Sequence, residues 1–182
     1  MTGVPRNKLG LSTIRELEAA EREITHAALI FLKESPVSPS FGLRHLCAIH
    51  RRIFGDIYDW AGQLRTVAIA KGSWFCLPQY IESSAAEAFR ALHGENFLRG
   101  LPRDAFTERL TYYLGEINAI HPFREGNGRA QRALFEQLAS DAGFILDWQH
   151  LDADRNIAAS AAIMRGNPTL MRKMLDELVR ES

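Results

Sequence analysis

The chain has 182 residues, of which 46% are hydrophobic and 24% charged, and its 22 basic and 22 acidic residues leave no formal net charge. This composition is typical of a globular protein with a sizeable core, and we expect a single domain over residues 1–182. The balanced charge gives no support to a protein that binds nucleic acid or membranes through bulk charge, and no apolar run is long enough to span a bilayer.

The N-terminus and the cysteines bear on where the protein works. The first residues lack the apolar core of a signal peptide, and Cys47 and Cys76 are too few to suggest a disulfide framework. We therefore expect free thiols and a cytoplasmic location. No spacing typical of zinc sites occurs, and neither the G-x-x-x-x-G-K-[ST] nor the G-x-G-x-x-G phosphate loop is present, so other residues must hold any nucleotide.

The predicted elements in chain order are helices, with one exception. Thr13 and Glu16 form a capping-box pattern that opens the first helix, and a second follows with apolar residues from Leu43 to Ile53. Further helices are expected over about 79–92, 103–120, 128–143, 151–164 and 168–180. The exception is residues 66–77, where two extended runs around a turn predict a small hairpin. The expected fold class is therefore all-α, a helical bundle with one hairpin.

Most of the chemistry of the chain is concentrated in the twelve residues from His121 to Arg132. The segment reads His-Pro-Phe-Arg-Glu-Gly-Asn-Gly-Arg-Ala-Gln-Arg, and its three arginines against one glutamate give a net charge of +2. It opens a predicted helix, whose first N–H groups are unpaired and favour an anion. Gly126 and Gly128 let the backbone approach a ligand closely. The segment is therefore suited to receiving an anion.

Each polar residue of this segment also suits a chemical role. His121 is the usual type of general base for a hydroxyl. Glu125 is a hard oxygen ligand suited to Mg²⁺, and Asn127 can donate to a phosphoryl oxygen. Arg129 and Arg132 share a helix face, where two guanidinium groups suit a polyphosphate. Singly, each residue could equally be a cap, a solvated acid, or part of an exposed helix face, but their clustering favours chemistry.

The segment from His121 to Arg132 resembles the signature H-x-F-x-[DE]-G-N-G-R-x-x-R of Fic-domain proteins, with no departure. The stretch Ile-Tyr-Asp-Trp-Ala-Gly-Gln-Leu-Arg at 57–65 and the helical context resemble the same family. The resemblance implies an adenylyltransferase, which transfers AMP from Mg·ATP to a Tyr, Ser or Thr hydroxyl of a target protein. It also implies that the hairpin at 66–77 is a flap beside the active-site loop, where an extended target segment docks by strand addition.

The resemblance further implies a role for each motif residue. His121 takes the proton of the target hydroxyl, Glu125 holds Mg²⁺ between the α- and β-phosphates, and Phe123 anchors the loop. Arg129 pairs with the β-phosphate and Arg132 with the γ-phosphate. The donors to the α- and β-phosphate oxygens are Gly126, Asn127 and Gly128.

Two other functions stay open. The Doc branch of the superfamily turns the nucleotide around and transfers phosphate, but its motif usually has Lys in place of the second glycine, so Gly128 favours AMP. A non-catalytic module that binds a peptide through the flap is the second alternative, and the intact motif disfavours it.

The partners are implied by the small bacterial toxin branch of the family, whose targets include DNA gyrase and topoisomerase IV. Fic proteins are commonly restrained by a helix carrying [ST]-x-x-x-E-[GN], whose glutamate pairs with the second motif arginine, here Arg132. Only Glu95 and Glu125 precede Gly or Asn, and neither follows a Ser or Thr at the required spacing. The sequence therefore predicts a separate small helical antitoxin that contacts Arg132, and no nucleic acid or membrane partner. Regulation by expression level is the alternative.

Overall fold

The structure, a computed structural model, describes residues 3–182, and helices dominate this part of the chain. The helices are α1 (Ile14–Glu34), α2 (Leu43–Phe54), α3 (Ile81–Gly94), α4 (Arg103–Ile120), α5 (Asn127–Asp141), α6 (Ala153–Ile163) and α7 (Thr169–Leu178). Two short strands, β1 (Phe144–Leu146) and β2 (Val179–Glu181), form an antiparallel pair. The all-α class is confirmed, and no helix in the described range is long and apolar enough to cross a membrane.

Helix α1 begins where the capping pattern places it. The Thr13 hydroxyl oxygen accepts a hydrogen bond from the Glu16 N–H at 3.3 Å, which satisfies one of the unpaired donors of the first turn. The reciprocal bond differs from that of a capping box, because the Glu16 carboxylate accepts from the Thr13 hydroxyl at 2.6 Å. Helix α1 then packs along α2, which in turn packs on α5.

The buried helix α4 determines where the motif lies. Its apolar stripe from Phe106 to Ile120 lies in the core and packs against α3, α5 and α7. Only six residues separate α4 from α5, which also contributes buried side chains. Residues 121–126 are therefore a short loop held at both ends by packed helices, which limits how far it can move.

The β1–β2 pair corrects the predicted end of the last helix. The sequence favours a helix over 168–180, but α7 ends at Leu178 and Val179 pairs with Leu146. The Val179 side chain is 1% exposed, and burial together with strand pairing outweighs the local helical pattern. This pairing joins residues far apart in sequence, so local periodicity does not reveal it.

The predicted hairpin at 66–77, called the flap, is only partly regular. The chain reverses there, with one bridge between Ala70 and Trp74. The Phe75 N–H donates to the Ile69 carbonyl at 3.2 Å, and the Lys71 N–H donates to the Ser73 carbonyl at 3.0 Å. A pair of short arms is marginal alone, and this one packs on α4, where the Cys76 N–H donates to the Ala119 carbonyl at 3.0 Å. The predicted chain reversal is therefore present, and its two arms pair antiparallel at a single bridge without forming regular strands.

Candidate active site

A cleft of about 790 Å³ lies over the motif, within the range of small-molecule sites. The motif loop and the start of α5 form one wall, the flap a second, and α6 a third. We call it the motif cleft; the motif residues lining it are His121, Arg124, Glu125, Gly126, Asn127, Gly128, Arg129 and Arg132. A larger cleft of about 1500 Å³ touches α1, α2 and α3 but contains no motif residue, so we assign no chemistry to it.

His121 ends α4 in a left-handed backbone conformation, with φ 48° and ψ 63°. Its Nδ1 lies 3.3 Å from the Asn118 carbonyl oxygen, and because a carbonyl only accepts, Nδ1 must carry the proton of the neutral ring. Nε2 then keeps its lone pair. The Phe75 ring of the flap stacks on the imidazole with centroids 3.8 Å apart. The side chain is thus held as a proton acceptor.

The environment of His121 also sets its charge. Burial lowers its pKa to about 4, the hydrogen bond to the Asn118 backbone opposes the shift, and the charges of Arg65 and Lys71 add to it. The imidazole is therefore neutral at physiological pH. A neutral histidine beside an anion site can accept a proton from a hydroxyl, whereas a protonated one cannot.

The buried side chains of Phe123 and Asn127 hold the motif loop in its conformation. Phe123 is fully buried and stacks on His50 at 3.9 Å. The Asn127 amide oxygen accepts from the Phe123 N–H at 2.9 Å, while its NH₂ group donates to the Phe123 carbonyl at 2.7 Å. These bonds fix the orientation of the Asn127 amide and use one of its two N–H donors within the loop. The backbone N–H of Asn127 and the second hydrogen of its NH₂ group are the donors that these two bonds leave free.

The first turn of α5 remains without a side-chain cap in the described part of the chain. Gly126 occupies the cap position in a left-handed conformation, and its carbonyl accepts from Ala130 at 3.1 Å. The unpaired N–H groups of this turn lie beside the motif cleft and favour a negative ligand.

There is no space for a side chain at Gly126. Gly100 has the same backbone φ but open space around it, so comparing the two glycines tests this steric effect. A Cβ at Gly126 would lie 2.3 Å from the fully buried Phe54 ring, whereas one at Gly100, which also has φ 77°, would meet nothing within 4 Å. Gly100→Ala should therefore lower the free energy of unfolding by about 1–2 kcal/mol through backbone strain alone. Gly126→Ala should cost about 1–3 kcal/mol more through overpacking. Equal losses in urea unfolding would contradict the steric role.

Glu125 connects the loop to His50, a buried histidine of α2 that the sequence pattern does not reveal. Partial burial and the nearby Glu21 carboxylate raise the pKa of Glu125, while Arg129, Lys71 and Arg124 oppose the shift. Its backbone carbonyl lies 2.9 Å from His50 Nε2. His50 Nδ1 accepts from the Gly62 N–H at 2.9 Å, so Nε2 is the donor, and the loop is pinned to α2.

The two motif arginines have different surroundings. The Arg129 guanidinium forms an ion pair with Glu21 of α1, donates to the Thr25 hydroxyl at 3.0 Å, and lies over the Phe54 ring. Part of this guanidinium is therefore already engaged within the protein. Arg132 has no carboxylate partner among residues 3–182, and it lines both the motif cleft and a second opening beside α1.

Burial and neighbouring charge also act on Arg132. Burial lowers its pKa, and the charge of Arg129 adds to the effect. Glu136, a potential partner on the same helix, pairs instead with Lys33 at 2.7 Å. Arg132 is thus a partly buried cation whose guanidinium is available to an anionic ligand.

Three residues outside the motif hold it in place. Glu21 pairs with Arg129, and His50 binds the Glu125 carbonyl. The third is Arg65, whose Nε donates to the His121 carbonyl at 2.8 Å. Their signals in the sequence are weak. His50 lies on the apolar side of α2 with Leu46 and Ile53, where a buried polar residue needs a partner. Arg65 closes the stretch 57–65. Nothing local distinguishes Glu21 from the other acids of α1.

Comparison with known proteins places the chain in a family. The sequence pattern of the Fic/DOC family matches residues 40–139, so the chain belongs to this family. It is 40% identical to "Probable protein adenylyltransferase Fic" of Salmonella typhimurium, covering 98% of this chain and 89% of that protein. It is also 40% identical to "Protein adenylyltransferase VbhT" of Bartonella schoenbuchensis over 96% of this chain but only 37% of that longer protein.

A solved structure supports the same grouping. The N-terminal Fic domain of a Bartonella effector protein from Bartonella sp. AR 15-3 superimposes with a TM-score of 0.91 and 26% identity. The match covers 98% of this chain and 88% of that one.

Proposed function

We propose that the protein transfers AMP from ATP to a Tyr, Ser or Thr hydroxyl of a target protein and releases pyrophosphate. The observation that carries the proposal is the juxtaposition, in one cleft, of the His121 acceptor nitrogen with the uncapped start of α5 and the Arg132 cation. A base and an anion site in one cleft suit nucleotidyl transfer, which needs mainly positioning and charge neutralisation. The names of the relatives support the same activity.

Each group of the motif has a separate role in the proposed reaction. His121 Nε2 takes the proton as the target oxygen attacks the α-phosphorus, and the bond from that phosphorus to the bridging oxygen of pyrophosphate breaks. The backbone N–H groups at Gly126, Asn127 and Gly128 receive the phosphate oxygens. Arg132 neutralises the γ-phosphate. The free donors of Arg129 face the β-phosphate, and Glu21 holds that guanidinium in place.

Glu125 fits the role of magnesium ligand. No group of three or more potential metal-ligating side chains occurs in residues 3–182, but Mg²⁺ commonly takes one or two carboxylates and completes its shell with phosphates and water. The Glu125 carboxylate faces the cleft in which the phosphates would lie. When bound, the ion would neutralise charge on the α- and β-phosphates.

The γ-phosphate role of Arg132 gives a further prediction. Arg132→Ala should lower kcat/KM for ATP on the order of 10-fold or more, because a charge-assisted contact contributes about 1.5–3 kcal/mol. ADP should be a poor AMP donor for the wild type. Steady-state transfer assays with both nucleotides check this, with Arg44→Ala, an arginine of α2 outside the motif cleft, as the control. Unchanged ATP kinetics in Arg132→Ala, or efficient use of ADP by the wild type, would exclude the role.

The space beside Gly128 favours AMP transfer over the phosphotransfer of the Doc branch. A Cβ at Gly128 would lie 3.1 Å from Arg132 Nη1, so a longer side chain there would crowd the guanidinium. Parallel reactions with ATP radiolabelled at the α- or the γ-phosphate separate the possibilities. Only α-label on the target supports adenylylation, only γ-label supports phosphotransfer, and no label supports a peptide-binding module.

We also infer that the protein is the toxin of a toxin–antitoxin pair. The support is Arg132, which the described chain leaves without a carboxylate and which is reachable through the opening beside α1. A small helical antitoxin would place its glutamate there and displace the γ-phosphate. Expression of the chain alone and with its genomic neighbour tests this. The inference is contradicted if the chain expressed alone does not harm the cell, forms no complex with the product of a neighbouring gene, and still labels target proteins freely when purified.

The flap indicates which type of target segment would bind, but not which protein carries it. An extended segment of a cytoplasmic protein would pair with the flap, and bacterial DNA gyrase or topoisomerase IV is our candidate. Labelling a bacterial lysate with α-labelled ATP and identifying the modified band tests the choice. Label on other proteins, with none on these topoisomerases, would exclude them while leaving the activity intact.

A further inference from the structure

Arg65 is a buried cation outside the motif. Its side chain is 3% exposed, and no carboxylate in the described part of the chain pairs with it. A buried charge is costly unless its donors find partners. The partners of Arg65 are therefore informative.

Those partners are backbone carbonyls from two separate regions. At the end of α4, Nε donates to the His121 carbonyl at 2.8 Å and Nη2 to the Ile120 carbonyl at 3.2 Å. In the flap, Nη1 donates to the Val67 carbonyl at 2.8 Å, and Nη2 also donates to the Cys76 carbonyl. One guanidinium thus joins the end of the helix that carries His121 to both arms of the flap.

The backbone of Arg65 strengthens the same connection. Its N–H donates to the Pro122 carbonyl at 2.9 Å, so the contacts follow three successive residues, 120–122. Carbonyl groups at the end of a helix lack partners within the helix and attract a cation. The planar fork of arginine can reach carbonyls in several directions at once, which the single ammonium of lysine cannot do.

We propose that Arg65 is a positioning residue for the transfer reaction, which holds the backbone of His121 and both arms of the flap in one fixed relation. This inference rests on the proposed function, since the flap would bring the target hydroxyl to His121. Arg65 itself does not line the motif cleft and acts through the groups that it holds. A displacement of about 1 Å between base and hydroxyl costs on the order of 10²-fold in rate.

Arg103 provides a matched control. Its guanidinium also binds carbonyls at a helix end, donating to the Val179 carbonyl at 3.1 Å from Nε and to the Asp176 carbonyl, but it lies at the end of α7. Neither Arg103 nor its partners line the motif cleft. Arg65→Lys and Arg103→Lys therefore make the same chemical change at two places, only one of which is beside the proposed reaction.

The experiment compares the two variants with the wild type at a temperature where all are folded. The measurements are AMP transfer to a purified acceptor identified by lysate labelling, ATP affinity, and hydrogen exchange. Arg65→Lys should lower kcat on the order of 10- to 100-fold and raise the KM for the acceptor, with ATP affinity unchanged. Its Cys76 amide should exchange faster while the Ala130 amide does not. Arg103→Lys should lose stability but keep kcat.

Other outcomes overturn the proposal. Transfer by Arg65→Lys that is normal, or reduced only as Arg103→Lys reduces it, would show a merely structural role. Should Arg65→Lys not fold, native-state exchange of the wild type decides: the Arg65, Cys76 and His121 amides should open in one cooperative event, and independent opening excludes the proposal. If the wild type labels no protein, the proposed function fails, while the exchange data still test the connection.

Discussion

Replacing His121 by alanine should reduce AMP transfer about 10² to 10⁴-fold, the range for loss of a general base, while ATP still binds. The reason is geometric: Nε2 is the ring atom left free by the bond from Nδ1 to Asn118, and it acts on the target hydroxyl rather than on the nucleotide. Transfer kinetics and calorimetric ATP titration measure the two effects. His93→Ala, at the exposed end of α3, is the control. Near-normal labelling by His121→Ala would remove this residue from the mechanism.

The pH dependence of kcat/KM provides a second test of His121. A histidine acts as a general base only when it is neutral. Transfer activity is therefore present at pH values above the histidine pKa, and it is lost as the pH falls through that pKa. Because burial lowers the pKa of His121 to about 4, kcat/KM should stay level from pH 8 to about pH 6 and fall only on approach to pH 4. An acidic limb near 6.5, the ordinary value for histidine, would contradict the burial seen here.

Replacing Glu125 by glutamine should have the other large effect. The change preserves shape but removes the carboxylate, so half-maximal activity should need roughly 10- to 100-fold more Mg²⁺, and the rate at saturating Mg²⁺ should also fall. Magnesium titrations of the transfer rate measure this, and isothermal titration of Mg²⁺ into the ATP-bound protein gives a readout independent of turnover. The loop should survive, since His50 binds the backbone carbonyl of Glu125 and not its side chain.

Glu108→Gln is the matched control for this change. Glu108 is an exposed glutamate of α4 outside the motif cleft, and its replacement alters the net charge equally. Glu108→Gln should leave the Mg²⁺ requirement at the wild-type value. If both variants shift the requirement alike, the effect is one of general charge and Glu125 is not the ligand.

Much of this protein was predictable because it depends on local pattern. The apolar period of α4 and the capping residues of α1 act within a few residues of one another, so the sequence determines where these helices lie. The loop from His121 to the start of α5 follows from the same signals. Gly143, with φ 89°, follows α5 in a left-handed conformation, at the end that the sequence predicts for this helix.

The tertiary structure alone decided how these residues are used. The Asn127 amide binds the Phe123 backbone and so closes the loop, and Arg129 is held by Glu21, 108 positions away. Arg65 reaches across 56 positions to His121. A side chain's partners depend on which segments packing brings together, and the hydrogen-bonding capacity of a residue does not reveal which partner will satisfy it. Sequence therefore identified the chemical groups, whereas burial and long-range contacts determined their protonation, orientation and availability.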